Sequence, residues 1–304
     1  MMNKILMVLL ALVAWPLAAG AALNLPGGTV WYLHADLEAM RDSAAGRDLY
    51  RWLDAEVFEE IRAESGIDVG KEVQKLTAYS GLDSGVAIVL QGPISKATRD
   101  KLMAIMALRA GYDLRDHKGS EYLLAGEEPV AVSRPGISID FEESAFVSFA
   151  IPQKIIVTSH EPQMHALLER KGQIVGGGKH NGALLVLTAD KTFVQAGMKT
   201  EAFADEDNSS WNSSILRNTE EVALMIAEQR GLLAIEAQLK SRDPRMTQSL
   251  GSVINGLISL QAFNDDIPDE LRNALSSTKV DSKGGVLNVS TVLDPADLIR
   301  LMSD

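Results

Sequence analysis

Not one of the 304 residues is a cysteine. That excludes a disulfide framework, thiolate chemistry, and a lipid-attachment cysteine behind an export signal. A chain this long can bury enough apolar surface to stand without cross-links, whereas a small secreted eukaryotic domain is usually stapled, so the absence points toward a bacterial envelope protein. Positive charge is also scarce: 29 lysines and arginines face 41 aspartates and glutamates, a formal net charge of −12. No lysine or arginine stripe offsets that balance locally, so it repels nucleic-acid backbones and anionic lipid surfaces and excludes nucleic acid as a partner class. Beyond the first residues there is no apolar run of the ~20 residues that a spanning helix needs.

What is present begins at the N-terminus. Lys4 precedes the apolar run Ile5 to Trp15, then Pro16, then the small residues Ala19-Gly20-Ala21. A charged start, a short apolar core and an Ala-x-Ala exit predict a signal peptide over 1–21, cleaved after Ala21 or Ala22, and a mature protein in the bacterial periplasm. With 46% hydrophobic and 23% charged residues, the remainder has the composition of an ordinary globular protein. The Asn-x-Ser triplets at Asn208, Asn212 and Asn288 carry no meaning in such a compartment.

Periodicity and turn residues give the organisation. Val30 to His34 predicts a strand and Asp36 a helix cap; Leu49, Trp52, Leu53, Val57, Phe58 and Ile61 predict a helix from about Ala45 to Glu64. A series of short strands follows through the middle, with turns at Gly81–Gly85, Lys118-Gly119 and Arg134-Pro135-Gly136. In the last third, hairpins turn at Gln229-Arg230-Gly231 and Lys283-Gly284-Gly285. Between them a helix from Pro244 to Phe263 is expected to carry Met246, Leu250, Val253, Ile254, Leu257 and Leu260 inward. Strands that come in hairpins and helices that come in separate blocks define an α+β fold, with mostly antiparallel sheets covered by amphipathic helices. The expected division is an N-terminal half over 22–172 and a C-terminal half over 173–304, either two related halves or one continuous domain.

Four local patterns approach known chemistry and miss it. In Lys171–His180 the glycines precede Gly178-Lys179, but His180 stands where a P-loop needs Ser or Thr, and Gln173 where it needs its first glycine. Gly81-Leu82-Asp83-Ser84-Gly85 places its serine one position late for a nucleophile elbow. His160-Glu161-Pro162-Gln163-Met164-His165 stretches the zinc-protease spacing from four to five, which at ~100° per residue turns the second imidazole off the first one's face. His160, His165 and His180 are therefore candidates only for a looser metal site. Asp205 and Asp207 alternate as calcium-loop ligands do, yet Ser210 and Leu216 replace the required glycine and glutamate. No cofactor is expected, and a divalent metal at these histidines or aspartates is the one exception. Trp31 and Trp52 read as core, whereas Trp211 lies in a polar loop and is the candidate partner contact.

The opening strand and capped helix, the glycine-flanked apolar strand, the hairpin-rich middle and the closing strand before Asp294 to Asp297 resemble uncharacterised exported bacterial α+β proteins. The likeness carries no catalytic motif and implies no activity. The expected function is that of a non-enzymatic periplasmic protein, an envelope accessory or protein-binding factor. The alternatives are a metal- or histidine-dependent hydrolase of envelope material and a small-ligand binding protein with its pocket between the two halves.

Overall fold

The computed structural model describes residues 25–59, 62–63, 66–81, 85–109, 112–125, 130–134, 137–141, 145–174, 182–197, 215, 218–261, 267 and 269–303. The signal segment, His180, Asp205, Asp207 and Trp211 lie outside the described residues. The chain divides into two compact units. Of the described residues, those within Pro26–Arg41 and Tyr50–Lys179 form the N-terminal unit, and those within His180–Asp304 together with Asp42–Leu49 and Leu25 form the C-terminal unit.

The strands of the N-terminal unit are β1 (Trp31–Asp36), β2 (Lys75–Gly81), β3 (Gly85–Gln91), β4 (Tyr112–His117), β5 (Ser120–Ala125), β6 (Val130–Arg134), β7 (Ile137–Phe141), β8 (Ala145–Ser148) and β9 (Lys154–Thr158). Seven of them form one sheet in the order β1-β2-β3-β9-β8-β5-β4, and β6 pairs with β7 in a separate ribbon. Every pairing is antiparallel. The helices are α1 (Leu37–Asp42), α3 (Val69–Glu72), α4 (Lys96–Arg109) and α5 (Glu161–Glu169), and α2 (Ala44–Leu53) is divided, its residues to Leu49 counted with the C-terminal unit and those from Tyr50 with this one. Alternation along the strands serves both faces of the sheet. Ala87, Phe146 and Ile156 pack against Met164, Leu167 and Leu168 of α5, while Val147 and Ile155 face the other way, toward Leu102 and Met106 of α4.

Local chemistry accounts for the boundaries. The side chain of Asp36 accepts from the Ala39 amide at 2.9 Å and starts α1, and Ser95 caps α4 by accepting from the Thr98 amide at 3.1 Å. Lys118-Gly119 turns β4 into β5 with both residues at positive φ, 52° and 81°, the two-residue turn whose twist matches its strands. One expected helix differs from the sequence reading. The run from Ala45 is α-helical only to Leu53 and continues as a π-helical turn over Asp54–Phe58, which shifts the register of the stripe, so that Leu49 and Phe58 are buried while Trp52 is only partly buried. Trp31 is likewise partly buried and not fully enclosed, as befits a large indole at the start of a strand.

The C-terminal unit has β10 (Ala183–Asp190), β11 (Thr219–Gln229), β12 (Leu232–Ser241), β13 (Lys279–Lys283) and β14 (Val286–Leu293) in the order β13-β14-β12-β11-β10. Its helices are α6 (Lys191–Gly197), α7 (Pro244–Gln261), α8 (Asp269–Ser277) and α9 (Pro295–Ser303). The hairpins turn at Arg230-Gly231 and Gly284-Gly285, again with φ positive at both residues. Asp294 starts α9 by accepting from the Ala296 amide at 2.8 Å. The fold is thus α+β, with antiparallel sheet throughout and helices on its faces.

Candidate functional site

Glu161, His165 and Glu169 stand four residues apart on α5 and so share one face of the helix. On β4, Arg115 and His117 are two residues apart and share one face of the strand, and β5 adds Tyr122. These side chains meet. The Tyr122 hydroxyl donates to Glu161 Oε1 at 2.6 Å, and Arg115 Nη1 donates to the same oxygen at 2.6 Å. With its proton directed at Glu161, the Tyr122 oxygen accepts from His165 Nε2 at 2.9 Å, which fixes the proton of that ring on Nε2. The His165 ring stacks on His117 with centroids 3.9 Å apart and planes 10° apart. Glu169 then accepts from His117 Nε2 at 2.9 Å and from Lys118 Nζ at 2.6 Å.

Each acid in this network is held in its charged form. Hydrogen bonds from Lys118 and then His117 pull the Glu169 carboxyl down to about 2, and those from Tyr122 and Arg115 pull Glu161 down as well. Tyr122 moves the opposite way, pushed up to about 12 by burial and by the neighbouring Glu161 carboxylate. A general base works best with its pKa near the ambient pH. Here the carboxylates are shifted away from neutrality and engaged by neighbouring donors, so the arrangement ties the β4–β5 hairpin to α5.

Of the histidines proposed as a metal set, His180 lies outside the described residues. His160 is the N-cap of α5, with Pro162 in the first turn, and its Nδ1 lies 3.0 Å from Ser159 Oγ, whereas His165 belongs to the network above. Among the described residues no group of three metal-ligating side chains converges. Gly81 and Gly85 pair directly as β2 turns into β3. A polar cleft lined by Arg41, Tyr50, Asp54, Arg62, Asp68 and Lys71 has its charges matched internally, with Arg62 on Asp54 at 2.6 Å and Lys71 on Asp68 at 2.8 Å.

The largest departure from the sequence reading is on α7. Met246, Leu250 and Ile254 pack on Leu239, Leu287 and Val289 as expected, but Val253, Leu257 and Leu260 are 42%, 54% and 69% exposed. The physical reason lies in the small residues. Thr247 and Gly251 are buried, and a Cβ at Gly251 would come within 3.3 Å of the Leu287 side chain. The helix approaches the sheet on its smallest side chains, which turns one edge of the apolar arc outward. From Met246 to Asn264 the sequence carries no Asp, Glu, Lys, Arg or His, so that edge is also free of charge.

Sequence reasoning missed the network of Arg115, His117, Tyr122, Glu161 and Glu169. The signals available were the four-residue spacing on α5 and the two-residue spacing on β4, but neither names its partner element.

These two units define an antiparallel α+β protein in which, among the described residues, no helix is long and apolar enough to cross a membrane. No protein family and no curated protein matches the sequence. Among solved structures the chain is similar to the treponemal protein TP0453 in three crystal forms. Form III shares 9% identity over 94% of this chain and 98% of that one, with a TM-score of 0.47. Form IV shares 11% over 91% and 94%, and form I 10% over 93% and 98%, each with a TM-score of 0.47. At that distance no activity, ligand or partner passes from one protein to the other.

Proposed function

We propose that this chain is a non-enzymatic protein exported to the bacterial periplasm, where it acts as an envelope accessory factor by binding another protein. The observation that carries this reading is the outer edge of α7. Three large aliphatic side chains at helical spacing stand exposed on a helix segment without charged residues, in a chain whose net charge is −12. Contiguous exposed apolar surface of that kind marks contact sites more often than it marks catalytic ones. The histidine network fits the same reading, because Glu161 and Glu169 are engaged by Tyr122, Arg115, His117 and Lys118.

The test is photocrosslinking in living cells with a benzophenone amino acid at Leu257. Discrete adducts that disappear when Leu260 is changed to Glu are expected. An absence of adducts at Leu257, Val253 and Leu260 alike removes α7 as the contact.

A further inference from the structure

β4 is the last strand of the N-terminal unit's sheet, and among the described residues no strand pairs with its outer edge. The hairpin decides which of its groups face outward. A two-residue turn at Lys118-Gly119 leaves His117 and Ser120 as a pair that exchanges both backbone bonds, and such pairs alternate along an antiparallel ladder. Asp113, Arg115 and His117 therefore bond to β5, and the N–H and C=O groups of Tyr112, Leu114 and Asp116 point away from it.

The side chains at this edge are as incomplete as its backbone. Register places Ile88, Val157, Val147, Leu123 and Leu114 in one row across β3, β9, β8, β5 and β4. Val147 is 8% and Leu123 3% exposed, but Leu114, where the row ends, is 58% exposed. On the opposite face the Asp113 side chain is 69% exposed beside Arg115. Arg115 gives Nε to Asp113 and Nη1 to Glu161, which leaves Nη2 as a donor. Sheet edges are ordinarily guarded by lysine, proline or a bulge. β13, at the end of the C-terminal unit's sheet, has exposed Lys279 and Lys283 at its two ends. β4 has neither lysine nor proline, and its register with β5 runs through six pairs without a bulge.

We infer that β4 is an interface with a second copy of this chain, the two strands pairing antiparallel about a two-fold axis at Leu114. Because only the even-numbered residues face outward, the register moves in steps of two. Centred on Leu114, it sets Asp113 opposite Arg115 of the second copy, and the reverse, in the non-hydrogen-bonded pairs whose side chains stand closest. A step one way sets Asp113 opposite Asp113, and a step the other way sets Arg115 opposite Arg115. Charge therefore selects the centred register, in which the two Leu114 side chains meet and the apolar row runs on into the second sheet. One strand pair is smaller than a permanent interface, so the dimer is reversible. β4 and α7 belong to different units, so this assignment and the protein contact proposed at α7 fail separately.

The experiment is sedimentation equilibrium of the full exported chain, joined to oxidative crosslinking of single-cysteine variants, since the sequence has no other cysteine. Wild type is expected to show a monomer–dimer equilibrium, and Asp113→Arg to weaken it at least tenfold. Leu114→Cys should oxidise to a covalent dimer, because Cα atoms of a hydrogen-bonded pair stand roughly 5.5 Å apart, within disulfide reach. Asp116→Cys should stay monomeric, because its equivalent in the second copy lies four residues along the strand, more than about 10 Å away. Monomer mass at every concentration up to about 1 mM chain, equal dimerisation of Asp113→Arg and wild type, or crosslinking of Asp116→Cys as fast as that of Leu114→Cys would each overturn the assignment.

Discussion

Tyr122 shows what one residue can carry. It is 3% exposed, and its hydroxyl joins Glu161 on one side to His165 on the other. Removing that oxygen leaves a half-buried carboxylate and an imidazole N–H each short of a partner, so Tyr122→Phe should lower unfolding free energy by about 1–3 kcal/mol in urea titrations. Glu169 makes a prediction with a pH window. Its folded carboxyl is depressed from 4.5 to about 2 by Lys118 and His117. The stability it contributes is therefore complete above pH 4.5 and disappears as pH falls toward about 2. Glu169→Gln should melt below wild type at neutral pH, and the gap should close across that interval. A gap that stays constant down to pH 2 would mean that the Lys118 and His117 contacts do not stabilise the charged form. Neither residue could be singled out from sequence, because the partners lie 39 or more positions away in the chain.

At the scale of elements, two glycines make opposite predictions. Gly92 follows β3, and a Cβ there would lie 2.1 Å from the carbonyl oxygen of Glu72, a backbone atom that cannot swing aside. Gly92→Ala should destabilise the protein by about 2 kcal/mol or more, as forced overpacking does. Gly256 sits in α7 with nothing within 4 Å of an added Cβ. Gly256→Ala should instead stabilise by about 0.5–1 kcal/mol, the helix-propensity difference. Denaturant midpoints of the two variants measured side by side would check both signs. Elements themselves were largely legible: the three two-residue turns, the caps at Asp36, Ser95 and Asp294, and the alternation of the strands all follow from local rules. The continuation of α2 as a π-helical turn and the short helix α6 were not, since neither leaves a distinct period in the sequence.

For the molecule as a whole, the outer edge of α7 is the proposed contact with another protein. Replacing both Leu257 and Leu260 by Glu should leave the melting temperature nearly unchanged, because both side chains are mostly in solvent. With the benzophenone amino acid at Val253, the same variant should lose photocrosslinked adducts; a large drop in melting temperature would show that the edge is packed in the folded protein. The sequence by itself determined the charge balance, the lack of cross-links and the α+β class, because these depend on counts, turn residues and periods of two and 3.6 residues. Only the tertiary structure decided which edge of α7 stays outside, that His117 stacks on His165, and that the apolar row through Leu123 ends exposed at Leu114. Those outcomes depend on strand register and on how closely a helix can approach a sheet at Thr247 and Gly251, and both are set by residues far apart in the chain.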